Sequence, residues 1–119
     1  MEIPKVFESE YRFCEILWEN EPVSSSALVR LCSEQLEWKK STTYTVIRRL
    51  SERGVLKSEN AVVTSLVSKE EVLTAESTEV VEKTFSGSLP SFIAAFTRKK
   101  PLTQKEIDEI QQIIDAYKG

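Results

Sequence analysis

The residues able to do chemistry in this chain are concentrated between Trp38 and Lys57. Lys39, Lys40, Arg48, Arg49, Arg53 and Lys57 stand there against one acid, Glu52, a formal charge of +5. Ser41, Thr42, Tyr44 and Thr45 fall between them at helical spacing. Thr42, Thr45 and Arg49 form one stripe; Ser41, Tyr44 and Arg48 form a second. The opposite side, Thr43, Val46, Ile47 and Leu50, suits burial. Hydroxyls and arginines on one exposed helix face are groups that read duplex DNA. Arginine pairs with a guanine edge or clamps a phosphate, and a threonine methyl meets a thymine methyl. The pattern assigns Ser41, Thr42, Tyr44, Thr45, Arg48 and Arg49 to base contact. It assigns Lys39, Lys40, Arg53 and Lys57 to phosphate contact.

The rest of the chain is acidic. Residues 1–38 carry −5 and residues 58–119 carry −3, so that 16 Lys/Arg and 19 Asp/Glu leave the whole at −3. Mild acidity taken alone argues against a nucleic-acid partner. Its distribution argues for one, because an acidic body with one basic helix is attracted to DNA in a single orientation.

Other chemistry is poorly provided for. The chain has no histidine, which removes the commonest general base and metal ligand. Its two cysteines, Cys14 and Cys32, are too few for a cysteine-only zinc site and read as small buried hydrophobes on apolar helix faces. Three glycines supply no phosphate loop. Acid pairs such as Glu70-Glu71 and Asp108-Glu109 fall where helices tolerate them, in first turns or on polar faces. No nucleophile, base and orienting group come together, so neither an enzyme nor a cofactor or metal site is expected. No signal peptide or membrane-length apolar run is visible, and a soluble cytoplasmic protein is expected.

The elements that must position the basic face can be read locally. Tyr11, Cys14, Leu17 and Trp18 mark a first amphipathic helix, ended by Asn20-Glu21-Pro22. Val23-Ser24 opens a second helix, with Ser24 as N-cap and Leu28, Leu31, Cys32 and Leu36 on its apolar face. The third helix, Ser41–Arg53, is stopped by Gly54 at C′. Val55 to Lys57 and Ala61 to Val67 read as two strands around a Ser58-Glu59-Asn60 turn. The fold class is therefore mainly α: a winged helix-turn-helix over residues 1–67, followed by a helical dimerisation region over 68–119. Capping boxes at Ser68–Glu71 and Thr103–Glu106 start two of its helices; Ser86-Gly87-Ser88 breaks the first, and Arg98-Lys99-Lys100-Pro101 ends the one between. Leu89, Phe92, Ile93 and Phe96, then Ile107, Ile110, Ile114 and Tyr117, form apolar stripes that a second copy would cover.

These residues resemble the penicillinase-repressor family of winged-helix regulators over nearly the whole chain. Glu10-Tyr11 through Leu17-Trp18 is similar to the family's first helix. Trp38, Thr42, Thr45, Ile47, Arg49-Leu50 and Gly54 fall on its recognition-helix pattern. Thr64 through Glu71 resembles its exit from the wing, and Gly87-Ser88-Leu89 through Ile114 its dimerisation helices. The resemblance implies a homodimer that represses transcription from a palindromic operator. It also implies a membrane sensor-protease pathway that cleaves relatives before a Phe. The similar bond here is Ala95-Phe96, with Ala where relatives carry Asn. The family's copper-responsive branch has a C-terminal cysteine cluster, and this chain has no cysteine after Cys32. Phe7 and Lys39 stand where relatives carry helix-capping Ser or Thr, and Ser41 is expected to cap the third helix instead. The wing, Lys57-Ser58-Glu59-Asn60-Ala61-Val62-Val63, is short and lacks the family's Gly, Arg and Tyr. That shortening motivates an alternative: a winged-helix protein-interaction module that has lost DNA binding.

Overall fold

The computed structural model describes residues 2–119. The element order is α1 (Glu8–Asn20), β1 (Val23–Ser24), α2 (Ser25–Leu36), α3 (Lys40–Glu52), β2 (Leu56–Glu59), β3 (Val62–Ser65), α4 (Lys69–Thr84), α5 (Leu89–Lys99) and α6 (Gln104–Lys118). The chain divides into two compact units inside α4, after Ser77.

In the first unit, α1, α2 and α3 surround one apolar core closed by the sheet. Phe13, Leu17, Leu28, Leu50, Leu56 and Val63 are almost completely buried. Each such side chain contributes roughly 1.5–3 kcal/mol by leaving water. Trp38, between α2 and α3, stacks on Phe13 at 5.9 Å and fixes the entry to α3. Trp18 donates its indole N–H to the Val67 carbonyl at 2.9 Å, tying α1 to the start of α4.

Two local expectations change. The sheet has three strands in the order β1-β3-β2, because Val23 and Ser24, read as the opening of α2, also pair antiparallel with Val63 and Val62. Ser24 still caps α2 by accepting from the Ala27 N–H. The hairpin turn sits one residue later than the sequence suggests. β2 runs through Glu59, which pairs with Val62, and Asn60 and Ala61 form a two-residue turn with φ of 53° and 63°. Both residues are left-handed, as a primed hairpin turn requires. Asn tolerates that region, whereas Ala61 holds its Cβ against the following carbonyl. Ala61→Gly is accordingly expected to raise unfolding stability by about 1 kcal/mol, read as a higher urea midpoint at unchanged slope.

The second unit, from Thr78, comprises the end of α4 with α5 and α6. Ser88 caps α5 by accepting from Ser91 N–H, and Thr103 and Glu106 form the reciprocal box at the start of α6. Phe85 packs edge-to-face on Phe92 at 5.4 Å. Of the expected apolar stripes, Phe92 and Ile110 are half-buried, while Leu89, Ile93, Phe96, Ile107, Ile114 and Tyr117 are exposed. Ile113 joins them at 60% exposure. Ala95 and Phe96 lie within α5.

Both cysteines are buried and free. Burial, reinforced by the Glu10 charge and opposed by Arg53, pushes the Cys14 thiol up to about 12. Burial also raises Cys32, with the Thr43 hydroxyl acting in the opposite sense. A raised thiol pKa favours the neutral folded form. The Cys14 contribution is intact below the ordinary range near 9 and is lost as pH climbs toward 12. Since the thiolate is the nucleophile, neither cysteine should take up iodoacetamide in the native protein at pH 8, and both should do so in denaturant, as read by intact mass.

Candidate nucleic-acid interface

α3 is built to hold one face in and one face out. Thr43, Val46, Ile47 and Leu50 are buried, as their spacing predicts. Ser41, Thr42, Tyr44, Arg48 and Arg49 are exposed, together with Lys39 and Lys40 at the helix start and Lys57 on β2. Thr45 is half-buried, and its hydroxyl donates to the Ser41 carbonyl at 2.9 Å. Its hydrogen is thus already used, leaving a methyl and an acceptor for a partner.

The helix begins one residue earlier than expected. Lys39 is the N-cap residue and makes no side-chain cap bond. Ser41 lies within the first turn, so it does not cap and its hydroxyl stays on the exposed face. The stop is tight: Gly54 has φ of 83°, its N–H reaches the Ser51 carbonyl at 3.1 Å, and Val55 N–H reaches the Leu50 carbonyl at 2.9 Å. This pair of hydrogen bonds around a left-handed Gly is the Schellman geometry, and it turns the chain directly into β2.

The charges of this face are available. Among the described residues, no carboxylate lies within ion-pair distance of Lys39, Lys40, Arg48, Arg49 or Lys57. The Lys40 ammonium sits over the Tyr44 ring, 6.0 Å from its centre.

Arg53 does not join this surface, although its charge and position suggested phosphate contact. Its guanidinium is paired with Glu10 of α1 and lies 4.8 Å from the Phe7 ring centre. Glu10 is buried, and its Oε1 also accepts the Phe7 N–H at 2.9 Å, capping α1 where Phe7 has no side-chain acceptor. The reason is geometric. Arg53 occupies the C-cap of α3, where the helix ends against the start of α1. The sequence held a signal for this pair, since Glu10 falls on the same helix face as Phe13, Cys14 and Leu17. A carboxylate on a buried face calls for a cation. An open cleft of about 440 Å³ lies beside the pair, lined by Phe7, Ser9, Glu10, Arg49, Glu52 and Arg53. A second long-range carboxylate bond was also missed. Glu21 accepts from Ser65 N–H at 2.7 Å and from the Ser65 hydroxyl, fastening the end of α1 to β3.

No group of His, Cys, Asp and Glu among the described residues is arranged to hold a metal ion. None of the helices is long and apolar enough to cross a membrane.

Known proteins resemble the chain in the same terms. It is 26% identical over 115 residues to the methicillin resistance regulatory protein MecI of Staphylococcus aureus strain Mu50, covering 93% of this chain and 94% of that protein. It is 22% identical over 121 residues to the penicillinase repressor of Bacillus licheniformis, covering 98% and 94%. In fold it resembles the solution structure of monomeric Bacillus licheniformis BlaI in complex with the blaP half-operator. The TM-score is 0.51 at 20% identity, over 59% of this chain and 90% of that one. The likeness establishes a winged-helix fold. The penicillinase-repressor family profile matches residues 7–116. The chain therefore belongs to the penicillinase-repressor family.

Proposed function

We propose that this protein is a sequence-specific DNA-binding transcriptional repressor that acts as a homodimer on a palindromic operator. The observation that carries this reading is the solvent face of α3, whose unpaired cations alternate with hydroxyls on an otherwise acidic chain. Ser41, Thr42, Tyr44, Thr45, Arg48 and Arg49 contact bases; Lys39, Lys40 and Lys57 contact phosphates. Arg53 is left out because Glu10 holds it. The names of the relatives support repression, and the half-operator in complex with BlaI supports the DNA partner. The exposed apolar stripes of α5 and α6 support the homodimer, since a second copy would take Leu89, Ile93, Phe96 and Ile114 out of water.

The test is selection of duplexes from a random pool, followed by a salt titration on the selected sequence. Three phosphates per protomer give about six per dimer, which predicts a loss of about a thousandfold in affinity between 50 and 200 mM salt. A selected site with two inverted half-sites, and a solution mass twice 13.6 kDa, complete the expected result. A chain that enriches no sequence overturns the reading. The wing favours the alternative of a protein-interaction module in one respect: Lys57 is its only cation, and Glu59 sits exposed beside the turn. That module predicts no salt-sensitive duplex binding.

A further inference from the structure

We infer that Tyr44 is a specificity-determining residue that reads the apolar 5-position edge of a pyrimidine, and that Lys40 is the positioning residue that holds its ring. The inference rests on the DNA-binding reading proposed above and assigns the division of labour within that face. Tyr44 is 40% exposed in the middle of the α3 front, whereas its neighbours Thr43, Val46 and Ile47 on the other side of the helix are buried. The group over its ring is the Lys40 ammonium, one turn earlier and 6.0 Å from the ring centre. Helical side chains lean toward the N-terminus, so Tyr44 tilts over the turn that carries Lys40.

Helix stability does not explain Lys40 at this place. It is the first residue of α3, at the positive end of the helix dipole, where a cation is disfavoured. Over the ring, the same charge gains from the aromatic face. A lysine at the helix start can meet a phosphate while its ammonium still rests on Tyr44. Phosphate contact and ring orientation are then linked: the backbone contact sets the rotamer of the reading group. The groove-facing side of the ring offers apolar carbon, and the pyrimidine 5-position is the apolar feature of the major groove, a methyl in thymine.

The experiment uses the full chain, its selected duplex and a scrambled duplex, with affinity measured across salt. Tyr44→Ala should lower the selected-to-scrambled ratio about tenfold at an unchanged salt slope. Tyr44→Phe should keep the ratio within about twofold, because ring carbon does the reading. Lys40→Gln should lower the ratio as well as reduce the slope by about 2, one contact per protomer, and Lys40→Arg, which keeps a cation over the ring, should restore both. Uracil in place of one thymine of the half-site should weaken the unmodified chain and leave Tyr44→Ala no weaker than before. The inference is overturned if Tyr44→Ala keeps the ratio, if Tyr44→Phe is as poor as Tyr44→Ala, or if Lys40→Gln changes the slope alone. A chain that selects no duplex overturns the DNA-binding reading, and this inference with it.

Discussion

Replacing Arg48 and Arg49 together by alanine is expected to weaken binding to the selected duplex by at least about a hundredfold at 0.15 M salt. Each guanidinium that meets a guanine edge is worth about 1–3 kcal/mol of discrimination, and the two lie on adjacent stripes of one face. Both are exposed and lack a carboxylate partner, so the chain loses little by their removal. Thermal unfolding should therefore shift by no more than a degree or two, which separates lost recognition from lost structure. The single variants divide the effect. Arg48 stands on the stripe with Tyr44, while Arg49 also borders the cleft shared with Ser9 and Glu52. A double variant that retains full, salt-dependent selectivity would transfer base reading to the hydroxyl residues alone.

Glu10→Ala is expected to cost about 3 kcal/mol of unfolding free energy. The substitution strands the Arg53 guanidinium against Phe7 and leaves the Phe7 N–H without its acceptor. Breaking a buried ion pair from one side typically costs about 3–5 kcal/mol. Arg53 keeps 28% of its side-chain surface in water, which places the cost at the lower end. Urea unfolding of the full chain measures it. Glu10→Gln, which keeps an acceptor for Phe7 and loses only the charge, should cost less. Arg53→Met should approach the alanine value, because it leaves the buried carboxylate unpaired. The same variants test the reassignment of Arg53. Under folding conditions, Arg53→Met should leave the salt slope of DNA binding unchanged, whereas Lys39→Gln, lost from both protomers, should reduce it by about 2. Equal slopes for the two would return Arg53 to the phosphate contacts.

The sequence by itself determined what depends on neighbours within one or two turns. The inward face of α3 follows from its spacing. The caps at Ser24, Ser68 and Thr103 follow from a hydroxyl placed three residues before a free N–H. The stop at Gly54 follows from its need for a left-handed residue. Concentration of positive charge on one helix is likewise a property of chain order. The tertiary structure alone decided which of those charges remain free. Arg53 and Arg49 are alike in the sequence, four residues apart on the same basic helix. Only packing of the α3 C-terminus against α1 gives Arg53 to Glu10 and leaves Arg49 exposed. The third strand and the Glu21–Ser65 bond, 44 residues apart in the chain, are of the same kind. Periodicity records which side of an element is apolar. It does not record which distant element that side meets, and a cation's partner is settled by that meeting.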